Sequence, residues 1–401
     1  MKSFSFVHAA DLHLGYSQYG LEARREDFDR VFQELVDRTV ELKPDFMIIA
    51  GDLFHTPRPS NVTLEHAIKK FSQLRDAGIP VLVVDGSHDS APNSVTGTIL
   101  NPLDSAGLIY YLPRHEGAFW HKQDCCYVYG VPNFRTRRKT EESLPEFIQR
   151  NKPNPESSLF NIFVFHMALD FPELTPPFVE AEASPELLPK GFNYYAAGHV
   201  HKRYEGKLGD SLLVYPGSTE TVNYDEANNE KGFYYVEVNE KGEVSPQFMK
   251  LNLTREFVVF EQDFTGFTAS KITELAVQLV KGADKEGAII VPVLKGVLPA
   301  EVSRGDVDVA QIRDAAEKAL LVHPVILLRE SGIPEAVVRS IFESEFKDLK
   351  TKSFEYFLQI FSERYGREEA EKIAHAAVNI IEPLVKKQDQ KVKQMLEELL
   401  E

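Results

Sequence analysis

Within the first ~90 residues, short apolar runs end three times in a cluster of aspartate and histidine. Phe4-Ser-Phe-Val-His-Ala-Ala10 runs into Asp11-Leu-His13, Phe46-Met-Ile-Ile-Ala50 into Gly51-Asp52, and Pro80-Val-Leu-Val-Val-Asp85 into Gly86-Ser-His-Asp89. Between them, residues 24–42 carry Phe28, Val31, Phe32, Leu35 and Thr39, and residues 63–74 carry Leu64, Ala67, Ile68 and Phe71. That is the i, i+3, i+4 spacing of one helical face. Strands separated by single helices fold as βαβ crossovers in a largely parallel sheet. Ligands of such a sheet bind beyond the carboxyl ends of its strands, where these aspartates and histidines stand.

Further strands are predicted at 127–131, 161–165, 194–197, 212–215 and 232–238, with fewer helices between them. This texture predicts a second, more antiparallel sheet packed on the first. His166 ends one of these strands and Gly198-His-Val-His201 another. Near Leu251 the pattern becomes a compact β-α-β-α-β unit: strand 257–261, helix 269–281, strand 288–294, helix 309–321 and strand 325–328. Gly332-Ile-Pro334 breaks the chain, and a polar helical region follows. There Phe354, Phe357, Leu358 and Phe361 form one apolar stripe, and Val385, Val392, Met395, Leu396 and Leu399 another. The expected domains are 1–250, 251–333 and 334–401.

Composition narrows the function classes. At 43% hydrophobic and 26% charged residues the chain can bury a core, which excludes disorder as its main state. Its longest apolar runs are far too short to span a bilayer, and the first residues lack a secretory h-region, so no membrane association is expected. Two adjacent cysteines, Cys125 and Cys126, suit a reducing cytoplasm better than a disulfide framework. The net charge of -16 speaks against a broad basic face, so any nucleic-acid contact must be local. Asn133-Phe-Arg-Thr-Arg-Arg-Lys139 offers the best local patch: Arg135, Arg137, Arg138 and Lys139, with Arg58 and Lys202 near the metal motifs. Arg24 and Arg25 also lie close to those motifs in sequence.

In extended chain an i, i+2 pair points to one side, so Asp11/His13 and His199/His201 can each present two ligands to one point. Imidazole and carboxylate without clustered thiolates suit Mn²⁺, Fe²⁺ or Zn²⁺. Two such ions about 3.5–4 Å apart clamp a phosphoryl group and acidify water. A shared carboxylate must screen their repulsion, and Asp52 in its Gly-Asp turn is the natural bridge.

The ordered motifs D-x-H, G-D-x-F-H, G-x-H-D, H and G-H-x-H resemble those of the calcineurin-like binuclear metallophosphoesterases. More narrowly, Ala10-Asp-Leu-His-Leu-Gly15, Ala50-Gly-Asp-Leu-Phe-His55, Ala197-Gly-His-Val-His-Lys202 and Tyr215-Pro-Gly-Ser218 resemble the SbcD family, the nuclease subunit of a double-strand-break repair complex. The resemblance covers residues 1–240. It implies an α/β fold: a four-layer α/β/β/α sandwich with a small α/β DNA-capping domain and a C-terminal helical segment.

It also implies two Mn²⁺ ions, one held by Asp11, His13, Asp52 and His201, the other by Asp52, Ser87, His166 and His199. His88 is then the catalytic histidine, Asp89 a carboxylate that orients it or helps shape its loop, and His55 a group that contacts or positions the phosphodiester. The implied activity is exo- and endonucleolytic, on DNA ends and hairpins. The implied partners are an SbcC-type coiled-coil ATPase, gripped through Phe354, Phe357, Leu358 and Phe361, and a second copy paired through the nuclease domain. The implied location is cytoplasmic and nucleoid-associated. A small-molecule or cyclic-nucleotide phosphodiesterase of the same fold is the alternative enzyme; the Phe54-His55 extension and the extra ~150 residues beyond residue 250 argue against it.

Position 87 departs from the family pattern, which has asparagine there. A serine hydroxyl is shorter and a weaker neutral donor than an amide oxygen, which keeps a third reading open, a catalytically weakened DNA-bridging scaffold. Ser87→Asn is therefore expected to raise Mn²⁺ occupancy and activity, read by metal titration beside a nuclease assay. Equal occupancy and activity in the two chains would contradict this.

Overall fold

The structure is a computed structural model that describes residues 1–91, 97–115, 119–122, 125–174, 181–299, 302–330, 354, 357–358, 361–362 and 366–385. It divides into two compact units, Met1–Glu256 and Phe257–Glu401.

The first unit opens with β1 (Phe4–Ala9), α1 (Glu22–Leu42), β2 (Phe46–Ala50), α2 (Asn61–Asp76), β3 (Val81–Val84), α3 (Leu100–Ser105) and β4 (Tyr110–Tyr111). It continues with β5 (Phe119–Lys122), β6 (Cys126–Gly130), α4 (Arg137–Asn151), β7 (Phe160–His166), β8 (Tyr194–Gly198), β9 (Tyr204–Leu208), β10 (Ser211–Tyr215), β11 (Gly232–Val238) and β12 (Val244–Lys250). Two six-stranded sheets result, ordered β12-β11-β1-β2-β3-β4 and β5-β6-β7-β8-β10-β9. In the first, β1 to β4 are parallel and β11 and β12 antiparallel.

The second sheet departs from the antiparallel expectation. Its central strands β6, β7, β8 and β10 are parallel, and only the edges β5 and β9 run the other way. The crossover from β6 to β7 is made by α4, which the basic composition of its first turn disguised as a loop.

The strands are apolar throughout because both faces are covered. Phe6, Phe46, Ile48, Leu82 and Val84 of the first sheet meet Val128, Ile162, Val164, Tyr194 and Ala196 of the second. On the outer face of the first sheet Val31, Phe32, Leu35, Ala67 and Phe71 of α1 and α2 cover Val7, Met47, Ile49 and Val83. Leu144 and Phe147 of α4 cover Tyr129, Phe163 and Phe165 of the second. The layers are thus α/β/β/α, as the motifs imply.

The second unit has β13 (Phe257–Asp263), α5 (Ala269–Gly282), β14 (Ile289–Leu298), α6 (Val309–Arg313), β15 (Leu321–Val322), β16 (Val325–Glu330) and α7 (Arg367–Val385). Its four strands are all parallel, with β14 paired to the other three. The helix expected over 309–321 stops at Arg313. Asp284 accepts hydrogen bonds from the backbone N–H groups of Glu317, Lys318 and Ala319 at 3.0–3.1 Å, which offers that stretch an alternative to helix. Of the apolar stripe, half-buried Phe354 lies against His375 of α7, and half-buried Phe357 stacks on Phe361, also half-buried. Most of the expected second stripe lies outside the described residues.

Arg24 is not a surface cation. It is 0% exposed on α1, where it donates to Asp27 Oδ2 at 2.6 Å, Gln18 Oε1 at 2.9 Å and the Thr221 carbonyl at 2.8 Å, and faces Glu220 at 3.4 Å. Arg255 closes the cluster from the far end of the unit, donating to Asp27 at 2.7 Å and through its N–H to Glu220 at 2.9 Å. Removing one member strands the buried carboxylates. Arg24→Ala is expected to destabilise this unit by about 3–5 kcal/mol in urea denaturation; a loss under ~1 kcal/mol contradicts a buried structural role.

Candidate metal centre

The candidate residues meet where the carboxyl ends of β1, β2, β3, β7 and β8 converge. The loops after β1 and β2 are zipped together by backbone hydrogen bonds from Asp11 to Gly51, His13 to Asp52 and Leu14 to Leu53 at 3.0–3.2 Å. Asp11, His13, Asp52 and His199 all have positive φ, from 46° to 90°. Left-handed backbone at such side chains costs about 1–3 kcal/mol each and persists only where the surroundings impose it. The convergence therefore does not come from extended i, i+2 pairs: the chain turns sharply at each motif.

Close backbone approach is built in by glycine. A Cβ on Gly198 would fall 1.9 Å from the Ala50 carbonyl oxygen, and one on Gly86 would fall 2.1 Å from Asp52 Oδ1.

Asp52 is the hub. It accepts from the backbone N–H of His88 at 2.8 Å and from the Ser87 hydroxyl at 3.3 Å, and its Oδ2 lies 3.2 Å from His166 Nε2 and 3.8 Å from His13 Nε2. Asp11 accepts from the backbone N–H of His199 at 3.1 Å and stands 3.8 Å from His166 and 3.9 Å from His201. Candidate donor atoms of Asp11, His13 and His201 gather within 4.8 Å of one another, as do those of Asp11, Asp52 and His166, and those of His13, His55 and His88.

The second nitrogen of several rings is occupied, which sets the tautomer. His201 Nδ1–H donates to Glu226 Oε1 at 2.6 Å and His166 Nδ1–H to the Ala50 carbonyl at 2.8 Å. Each leaves Nε2 with its lone pair facing the site. The Nε2 atoms of His13 and His201 face each other at 3.2 Å. His166 Nε2 is buried and lies 3.2 Å from Asp52 Oδ2 without a hydrogen bond of proper geometry.

Burial pushes the Asp11 carboxyl up and drives His13 down, and His199 down to about 3. Burial also opposes charge on Asp52 and His166, yet each stabilises the other. Asp52 is held far below the carboxylate range, and His166 is pushed up to about 10 by Asp52 and Asp11. A divalent cation supplies that positive charge without the proton. The buried oxygen–nitrogen donor set, the converging Nε2 atoms and the buried His166 nitrogen beside Asp52 fit a pair of divalent ions.

His88 stands beside this cluster, its ring 4.8 Å from that of His13, and its Nδ1–H donates to the His55 carbonyl at 2.9 Å. Its Nε2 is then the nitrogen left for a substrate. The Asp89 carboxylate is engaged by backbone on either side of its loop. It accepts from the N–H groups of Gly86 at 2.7 Å and Phe54 at 3.2 Å, and burial pushes it up to about 7. His55 approaches His13 Nδ1 at 3.3 Å, and Tyr16 stacks on its outer face at 3.7 Å.

Arg135 is exposed, yet its guanidinium reaches the same loop, donating to Ser90 Oγ at 2.7 Å and to the Ser90 carbonyl at 3.1 Å. Arg137 and Arg138 lie on α4, paired with Glu141 and Glu142 one turn on. Lys139, Arg58 and Lys202 are exposed.

Sequence reading missed Glu226, Glu182, Tyr16 and Asn133, which bind or stack on the motif residues from positions that carry no motif. Glu226, pulled down to about 2 against its burial by His201 and Lys231, also accepts from Lys231 at 2.9 Å and from Ser218 at 3.3 Å. Ser218 closes the Tyr-Pro-Gly-Ser run, the one sequence signal that led to this corner.

The calcineurin-like phosphoesterase family model matches residues 4–203. Three similar curated proteins each bear the name DNA double-strand break repair protein Mre11. The Methanopyrus kandleri protein is 31% identical over 274 residues, 64% of this chain and 58% of that protein. The Archaeoglobus fulgidus protein is 29% identical over 342 residues, 78% of this chain and 71% of its own length. The Methanocaldococcus jannaschii protein is 30% identical over 270 residues, 63% and 68% respectively. The matched part thus spans less than two thirds of the first of these relatives.

Ions that bind only the folded chain stabilise it by mass action, about 2.7 kcal/mol at a hundredfold excess over Kd. Mn²⁺ is expected to raise the melting temperature with increasing concentration and EDTA to reverse it, with Asp52→Asn abolishing the response. A melting temperature indifferent to Mn²⁺ in the unaltered chain contradicts this assignment.

Proposed function

Because the chain belongs to the Mre11 family of calcineurin-like phosphoesterases, we propose that it is a metal-dependent DNA nuclease that processes double-strand ends. The observation that carries this reading is the convergence of Asp11, His13, Asp52, His166 and His201 with His88 seated beside them.

Asp11, His13, Asp52 and His201 hold one divalent ion, and Asp52, Ser87, His166 and His199 the other. Mn²⁺ is the proposed metal. Two bound ions supply Lewis acidity at the phosphoryl oxygens and acidify water for in-line attack.

The chain's own residues do the rest. In its imidazolium form His88 would give the Nε2 proton to the departing sugar oxygen or donate from Nε2 to charge developing on the phosphate, while its Nδ1–H stays on the His55 carbonyl and orients the ring. Asp89 and Arg135 keep the loop that carries it in place. His55, backed by Tyr16, flanks the phosphodiester. DNA contacts come from Arg58, Lys139, Lys202 and the exposed faces of Arg137 and Arg138. Exonuclease action on duplex ends and endonuclease action on hairpins are both assigned to this site.

The half-buried Phe354, Phe357, Leu358 and Phe361 support docking of an SbcC-type coiled-coil ATPase by a helix-in-groove contact. The β-α-β-α-β stretch of residues 251–333 acts as the DNA cap, and two copies pair through the nuclease domain. The protein works in the cytoplasm on the nucleoid. No described helix is long and apolar enough to cross a membrane.

End-labelled duplex and hairpin DNA are expected to be cleaved by the purified chain only with Mn²⁺ or a similar ion. His88→Ala should lower the rate by about 10²–10⁴ with metal content unchanged. Intact DNA alongside brisk hydrolysis of bis(p-nitrophenyl) phosphate would overturn the DNA reading in favour of a small-molecule phosphodiesterase. No cleavage of either, with DNA still bound, would favour the scaffold.

A further inference from the structure

Two of the imidazoles assigned to the metals have their outward nitrogen held by an acceptor of the fold: His201 by Glu226 at 2.6 Å and His166 by the Ala50 carbonyl at 2.8 Å. A third, His199, has a carboxylate in the corresponding place. Glu182 Oε2 lies 3.6 Å from His199 Nε2, and the Glu182 side chain is only 14% exposed.

The carboxylate is not there by chance of rotamer. Its Oε2 accepts the backbone N–H of Ala168 at 3.1 Å, while the Glu182 N–H donates to the Ala168 carbonyl at 2.9 Å. A bridge between Leu169 and Ala183 fixes the two segments side by side. Ala168 stands two residues beyond His166, so a single carboxylate accepts from the backbone behind one histidine of the second site and stands 3.6 Å from the ring of the other. Those two rings lie 5.1 Å apart at 78°.

Opposite them, the family's amide donor is missing. Ser87 offers a hydroxyl that donates to Asp52 Oδ2 at 3.3 Å.

We propose that Glu182 is a positioning residue of the second cation site, holding His199 by its Nε2 so that Nδ1 faces the ion, and that its negative charge offsets the weak donor at Ser87. The proposal rests on the two-metal reading above. A carboxylate behind a ligating imidazole fixes its tautomer and raises its basicity, and loss of such a partner lowers metal affinity about 10–100-fold.

The test is calorimetric titration of Mn²⁺ into the full chain without DNA, so that it reads the metal site alone. The unaltered chain is expected to bind two ions. Glu182→Gln keeps an acceptor for Ala168 and should leave one ion's affinity unchanged while weakening the other about 10–100-fold. Adding Ser87→Asn to Glu182→Gln should restore part of that loss, and Glu226→Gln should weaken the complementary ion. Unchanged affinity for both ions in Glu182→Gln overturns the proposal and leaves the two-metal reading standing; so does equal weakening of both. An unaltered chain that binds no Mn²⁺ overturns the two-metal reading and this inference with it.

Discussion

Two buried carboxylates, Asp11 and Asp52, face one another's field at the meeting edge of two sheets, and the rest of the site exists to make that tolerable. Burial opposes charge on both, and the Asp52 charge raises the Asp11 carboxyl further. The fold answers with backbone N–H groups aimed at both and with imidazoles on every side. Asp52 and Asp11 in turn push His166 toward positive charge against its burial. The carboxylates come from the first sheet and His166, His199 and His201 from or after strands of the second. The same electrostatics that attract a cation therefore tie the carboxyl ends of the two sheets together, above the apolar layer of Phe6, Ile48, Val164 and Ala196.

Much of this was legible in the sequence because it rests on local pattern. Uninterrupted apolar strands that end in aspartate or histidine mark both the parallel sheet and its ligand-binding edge, and Asp11, His13, Asp52, His166 and His201 converge as their order implies. What stayed hidden depends on distance in sequence. Glu226 reaches His201 across 25 residues and Asn133 reaches the His166 carbonyl across 33, and neither sits in a recognisable spacing. The left-handed turns at Asp11, His13 and Asp52 are imposed by strand-to-loop zipping that no propensity of Asp or His announces. Likewise Asp284 captured the stretch that reads as the end of a helix, and the parallel core of the second sheet depended on recognising α4 behind its basic first turn.

The acidic balance of the chain takes on a different sense once charges are placed. Arg24 and Arg255 are consumed by Asp27 and Glu220, and Arg135 by the loop that carries His88. Arg137 and Arg138 are half neutralised by Glu141 and Glu142 on their own helix. In a chain of net charge -16, these pairings leave few arginines of the described motif regions facing solvent without a carboxylate beside them. Attraction for a phosphodiester must come from a few exposed side chains and from positive charge held by Asp11 and Asp52. The proposed nuclease action and metal binding are in this account one electrostatic problem.

The most direct test of a two-ion centre is electron paramagnetic resonance of the full chain loaded with saturating Mn²⁺. Two ions sharing Asp52 sit close enough for their spins to couple, so the account predicts the exchange-coupled multiline signal of a manganese pair. Only the six-line signal of isolated Mn²⁺ at saturation would contradict it.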